Sequence, residues 1–141
     1  EPFFDSMESC ISRMVFAIPG IKGIEFGSGF ACSRMRGSEC NDRIISREGQ
    51  TSSNHAGGIN GGITNGNELV FRAAVRPTAS ISKMQKTVNM QTGELQTLAI
   101  KGRHDTCIAL RMPVIIEAVA AVVLADFMLQ AQEIKRIWED T

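Results

Sequence analysis

The sequence predicts an α+β fold, an antiparallel sheet with two long helices. Three observations carry this. Apolar residues recur at helical spacing near both ends of the chain, and an alternating stretch lies in the middle. Beyond it two short runs flank a tight turn of hairpin type. Strands joined by hairpins and segregated from helices are the pattern of an antiparallel sheet.

Phe3, Phe4, Met7, Cys10, Ile11, Met14, Val15 and Ile18 recur at steps of three and four, one face of an amphipathic helix. Asp5 or Pro2 is expected near its start, and Pro19-Gly20 stops it. Ile21 to Phe26 reads as a short strand bounded by Gly27 and Gly29. Residues 37 to 54 are polar and turn-rich, with a short strand expected at Arg43 to Ile45. After a glycine run at 54 to 66, Leu69, Phe71, Ala73 and Val75 alternate with Val70, Arg72 and Ala74, a strand with one apolar face. Pro77 lacks a donor and ends it. Lys86 to Met90 and Leu95 to Ile100 flank Gln91-Thr92-Gly93-Glu94 as a hairpin. Pro113 opens a final helix expected to reach about Ile137. Its stretch from Pro113 to Leu129 is apolar but carries Glu117 and Asp126. A charge at mid-bilayer costs several kcal/mol, so the stretch reads as a buried core helix rather than a membrane span.

The 141 residues suffice for one domain with a real core. Fifteen basic residues balance fifteen acidic ones, which argues against a nucleic-acid binder, for which a basic face is expected. The balance is uneven locally. From Val70 to Asp105 six cations (Arg72, Arg76, Lys83, Lys86, Lys101, Arg103) meet only Glu94 and Asp105. That excess suits an anionic small molecule, or a solvated strand face. Cys10, Cys32, Cys40 and Cys107 show no CxxC spacing, so no metal site is expected, and free thiols in a reducing cytoplasm are the default.

Gly57, Gly58, Gly61, Gly62 and Gly66 fall within ten residues. Such a run is costly in backbone entropy and persists where the chain turns sharply or approaches a ligand. It has neither the P-loop ending nor GxGxxG spacing, so surface loop and ligand cradle both stand. Arg76-Pro77-Thr78-Ala79-Ser80 follows a strand, where amides and hydroxyls could face a phosphate or simply cap a turn. Arg103-His104-Asp105 places a permanent cation, an imidazole and a carboxylate in succession. It reads as a surface ion pair or as a base held ionised beside a cation. Glu117 reads as a buried acid or as the anchor of a neighbouring loop.

Together these stretches are far more specific. Asn54-His55-Ala56-Gly57-Gly58-Ile59-x-Gly61-Gly62-Ile63-x-Asn65-Gly66, then Arg76-Pro77-Thr78-x-Ser80-Ile81, then Gly102-Arg103-His104-Asp105-x-Cys107, then Glu117-Ala118, closely resemble the chorismate synthase family. So do Phe4-Asp5, Ile21 to Phe30 and Gly37-Ser38-Glu39-x-Asn41-Asp42. The likeness runs from residue 1 to about residue 130. Arg76 stands where the family has lysine, Ala79 where it has serine, Asn60 where it has leucine and Thr106 where it commonly has proline. None of these removes a charge or a loop glycine.

The resemblance implies a β-α-β sandwich assembled as a tetramer in the cytoplasm. It also implies an enzyme that converts 5-enolpyruvylshikimate 3-phosphate into chorismate with reduced FMN, leaving open whether NADPH reduces the flavin. By position Asp105 would be the catalytic carboxylate, and Arg103 would bind flavin or the substrate anion. Pro19, Gly20, Gly61 and the segment Arg76, Pro77, Thr78, Ala79, Ser80 would contact flavin. The family's chains are more than twice this length, and their Gly-Glu-Ser-His-Gly segment is not found here. Residues 1–141 are therefore expected to be a single folding unit from the C-terminal part of such a chain, inactive without the N-terminal part; the alternative is a folded, non-catalytic module that binds flavin or an anion.

Overall fold

The computed structural model describes residues 2–134. The first helix, α1 (Met7–Phe16), starts later than the apolar spacing suggests. Its cap is Ser6 rather than Asp5 or Pro2: the Ser6 hydroxyl accepts the Ser9 amide at 3.1 Å, satisfying a first-turn donor. Phe3 and Phe4 fall outside the helix, exposed and stacked edge to face on each other at 4.8 Å. Pro19 follows the helix end at Ala17.

Strand β1 (Ile21–Phe26) pairs antiparallel with β4 (Phe71–Val75), with a bulge at Ile21/Gly23. Phe71, Ala73 and Val75 turn inward and Arg72 and Ala74 outward, as the alternation predicts. Phe26 meets Phe71 at 5.7 Å on one face. On the other, Glu25 pairs with Arg72 at 2.9 Å and accepts the Phe30 amide at 3.0 Å. The Phe30 N–H is the main reason the Glu25 carboxyl lies below its usual range; desolvation opposes it, and Arg72 adds to it. Beneath this ladder Ile11 and Val15 are fully buried, with Met7, Cys10, Ile18, Ile21, Ile59, Met112 and Val123 around them.

The predicted antiparallel sheet is three separate two-stranded ladders among the described residues. Besides β1–β4 there is the small hairpin β2 (Ile59–Asn60) with β3 (Ile63–Thr64), and the ribbon β5 (Gln85–Val88) with β6 (Leu95–Leu98). The expected strand at Arg43 to Ile45 shrinks to a single bridge, Ile44 to Thr51. Before it come a 3-10 turn (Gly29–Arg34) and one helical turn, α2 (Gly37–Cys40).

The last helix, α3 (Met112–Gln130), follows a 3-10 turn (Ile108–Arg111) and ends at Ala131, short of the expected Ile137, which lies outside the described residues. It packs on α1, but only Met112 and Val123 are buried. Val114 is 73% and Val122 58% exposed. The expectation of a buried core helix is thus overturned: Ile116, Val119, Leu124 and Phe127 pack partly against the core, but Val114, Ile115, Val122, Met128 and Leu129 stay exposed. By length and composition alone, Ile108–Gln130 would also suit a membrane span. Of the two long helices expected, only α3 is long.

Candidate functional site

The glycine run is built around backbone contact. Gly57 has φ +67° and Gly27 φ +54°. A Cβ on Gly57 would sit 2.6 Å from the Val70 carbonyl oxygen and against the Gly27 amide. A Cβ on Gly27 would strike the His55 carbonyl. Here three chain segments cross where only glycine fits. Hydrogen bonds lock the crossing: the Gly27 amide donates to Val70 O at 2.8 Å, and the Val70 amide to Gly57 O at 3.1 Å.

Asp42 clamps the approach to this crossing. Its Oδ1 accepts the Ser53 hydroxyl at 2.7 Å and the His55 amide at 2.8 Å, and its Oδ2 accepts the Ala56 amide at 2.8 Å. Burial pushes the Asp42 carboxyl up, but these three donors and the nearby His55 ring outweigh it and leave the pKa below the usual 3.8. The His55 Nδ1 lies 2.7 Å from the Ser28 hydroxyl. A polar cavity of about 450 Å³ opens beside the clamp, lined by Cys32, Cys40, Asp42, His55, Asn65 and Asn67 among others.

A second cavity, of about 410 Å³, brings together Pro77, Thr78, Ser80 and Asp105 of the residues singled out in the sequence. At the end of β4 the Arg76 amide donates to the Gly20 carbonyl at 2.8 Å, so Pro19-Gly20 and the Arg76 segment start from one place. The chain then leaves for the β5–β6 ribbon and returns through residues 99–107. There the Thr78 hydroxyl donates to the Asp105 carbonyl at 2.8 Å, across a sequence separation of 27. Pro77, Thr78, Ser80, Ile81 and Ser82 form one wall, and Gly102, His104, Asp105 and Thr106 the other.

Arg103 lies between two lining residues but is itself exposed. Among the described residues, neither Arg76 nor Arg103 makes a side-chain hydrogen bond or ion pair. Asp105 instead pairs with Arg111, Nη2 to Oδ1 at 3.1 Å, with the Asp105 side chain 48% and that of Arg111 75% exposed. Arg111 went unnoticed in the sequence because it stands six residues away, at the mouth of α3, where the 3-10 turn brings it back. The result is an open cleft lined by hydroxyls, one imidazole and one carboxylate, the last paired with Arg111.

Two expected residues lie elsewhere. Gly61 sits in the β2–β3 turn; its neighbour Gly62 accepts the Met7 amide at 2.8 Å, at the start of α1. Gly20 lies past the other end of that ten-residue helix, about 15 Å away along its axis. Glu117 is exposed on α3, which removes its reading as a buried acid.

Comparison with known proteins identifies the family. The chorismate synthase family model matches residues 1–129. The chain is 60% identical over 140 residues to the chorismate synthase of Chitinophaga pinensis, covering 99% of this chain and 42% of that protein. Against that of Methanosarcina mazei it is 49% identical, covering 93% and 36%. A crystal structure of chorismate synthase superimposes with a TM-score of 0.67 at 30% identity, over 89% of this chain and 31% of that one. The chain thus spans about two fifths of the length of the curated relatives it matches. With the family model matched from residue 1 to within one residue of the end of α3, this chain belongs to the chorismate synthase family.

Proposed function

We propose that this chain forms part of the active site of a lyase that makes chorismate from 5-enolpyruvylshikimate 3-phosphate. The reaction is a 1,4-elimination: the ring carbon–phosphate oxygen bond breaks, a ring hydrogen leaves and a second ring double bond forms. One observation carries the reading. The Thr78–Asp105 hydrogen bond joins two motifs far apart in sequence into one cleft, and those are the motifs that resemble the family.

The cleft's donor set fits a phosphorylated flavin. Ser80 and Ser82 offer hydroxyls, and Arg76 and Arg103 stand beside the walls without intramolecular ion pairs among the described residues. Pro19, Gly20 and the segment Arg76, Pro77, Thr78, Ala79, Ser80 would hold reduced FMN, which supplies electron density as phosphate departs. Gly61 would reach it only from the far end of α1. Arg103 would bind a substrate or flavin anion, and a guanidinium offers two parallel donors for that purpose. Asp105 would take up the departing proton on Oδ2, since Oδ1 is engaged by Arg111. Thr78 fixes the backbone from which that carboxylate projects.

The complete protein is read as a cytoplasmic homotetramer of β-α-β sandwiches. Its N-terminal part would close the cleft and cover α3. Asp105→Asn tests the assignment in that complete protein. Flavin and substrate binding should survive while turnover falls by about 10²-fold, the usual worth of a general acid or base. Near-normal turnover in steady-state assays would remove Asp105 from the chemistry.

A further inference from the structure

The first cavity, beside the Asp42 clamp, has a feature the reaction does not use. Cys40 is the last residue of α2, and Cys32 lies in the preceding 3-10 turn. The Cys40 thiol donates to the Cys32 sulfur at 3.4 Å, and both half-buried side chains line the 450 Å³ cavity. The pair is therefore already in contact and open to a small reagent.

We propose that Cys32 and Cys40 form a reversible dithiol–disulfide site, closed by a small disulfide of the glutathione class. A disulfide bond is about 2.05 Å long, so the two sulfurs must approach by roughly 1.4 Å. Nothing between residues 29 and 41 is buried in the core, so this segment can give by that amount without disturbing α1. The other cysteines offer no such pair: Cys10 is buried in the core and Cys107 is exposed.

The exchange balances. Cys32, as thiolate, attacks one sulfur of the reagent, forming a mixed disulfide and releasing one reagent thiolate. Cys40 then loses its proton and attacks the Cys32 sulfur, forming the Cys32–Cys40 bond and releasing the second reagent thiol. Two electrons and two protons pass from the pair to the reagent. The entering sulfur is Cys32, because it is the acceptor in their contact while the Cys40 thiol is committed as the donor; the pKa of that thiol is held above its usual range. Its hydrogen bond to Cys32 is the main cause, and desolvation and the charges of Cys32 and Asp42 act the same way.

The consequence reaches the glycine crossing. Asp42 lies two residues beyond Cys40 and holds the His55 and Ala56 amides. Closing the pair ties the Asp42 segment to the 3-10 turn, fixing the clamp from a second side. This inference is independent of the proposed reaction.

The test equilibrates the purified protein in glutathione and glutathione disulfide, natively and in urea, followed by acid quenching, alkylation and tryptic mapping by mass spectrometry. Trypsin cuts after Arg34 and Arg36, so the two cysteines fall on separate peptides. The expected product is the joined pair, two hydrogens lighter than the separate peptides and separated again by dithiothreitol. At one fixed buffer ratio it should form at least tenfold more in the native protein than in urea. Equal yields in the two conditions, or Cys32 and Cys40 each carrying glutathione without joining, would overturn the proposal. In a brief exposure of the wild type, glutathione should appear first on Cys32; its first appearance on Cys40 would overturn the order of attack. Amide exchange at His55 and Ala56 should slow about tenfold on oxidation, and an unchanged rate would overturn the link to Asp42.

Discussion

Asp42→Asn is the sharpest probe of how the glycine crossing is held. The native carboxylate accepts three donors, from Ser53, His55 and Ala56, at 2.7 to 2.8 Å. If the new amide keeps its oxygen toward Ser53 and His55, its NH₂ faces the Ala56 N–H, donor against donor. One charge-assisted bond is lost and the other two weaken, a cost of about 2 kcal/mol. Asp42 is only half-buried, so water can reach the orphaned amide and keeps the figure from rising further. At the usual urea sensitivity of a small domain, the unfolding midpoint should fall by about 1 M.

The pH dependence of that difference is a second constraint. Because the folded pKa of Asp42 is depressed, its contribution is fully present above the unfolded value of 3.8. It is lost as pH falls through the lower folded value. The gap between wild type and Asp42→Asn should therefore be constant from neutrality down to about pH 4 and shrink below it. Urea titrations at several pH values measure this directly. An unchanged midpoint at pH 7, or a gap that persists undiminished at pH 2, would refute the clamp.

Other outcomes follow from the same geometry. Gly57→Ala, forced into positive φ with a methyl 2.6 Å from the Val70 oxygen, should cost about 2–3 kcal/mol, read as a lower thermal midpoint. In the complete protein, Thr78→Val removes the donor to the Asp105 carbonyl but keeps the side chain's shape. Losing that bond should lower stability by about 1 kcal/mol and, by loosening the backbone that carries Asp105, lower turnover by roughly fivefold, checked by steady-state kinetics beside a melting curve. The 141-residue chain alone should form no chorismate under anaerobic conditions with reduced FMN, because groups that act as a unit lose nearly all their rate when split. Measurable product would show that the essential chemistry has been misplaced.

The elements legible in the sequence are those whose signals are local. β1 lies between a proline–glycine stop and Gly27, and β4 announces itself by strict alternation up to Pro77. The ribbon β5–β6 needs only its turn. The helix start at Ser6 was not readable, because Asp5 and Ser6 are equally good caps and only the fold shows which of them meets the Ser9 amide. The 3-10 turn and α2 had no apolar period to betray them, since none of their residues is buried. The purpose of Gly57 was hidden for a different reason. It depends on Gly27 and Val70, one thirty residues before it and the other beyond the next hairpin, and no single segment shows that crossing. Arg111 was missed likewise, because only the fold returns it to Asp105.

Helix α3 and the candidate cleft raise one physical question between them. A helix apolar on every side is stable in water only where other elements cover it. Here α1 covers part of one side, and Leu110, Val114 and Val122 stand in solvent. The cleft is open in the same sense: Asp105 is about half and Arg111 three-quarters exposed, where an ion pair contributes little. Both deficits would be met by the same event. A layer laid over α3 and the mouth of the 3-10 turn Ile108–Arg111 would bury the apolar face and dry the carboxylate together, strengthening every charge interaction in the cleft. The curated relatives are more than twice this chain's length, ample for such a layer. Covering of the helix and drying of the proposed carboxylate would then be one packing step.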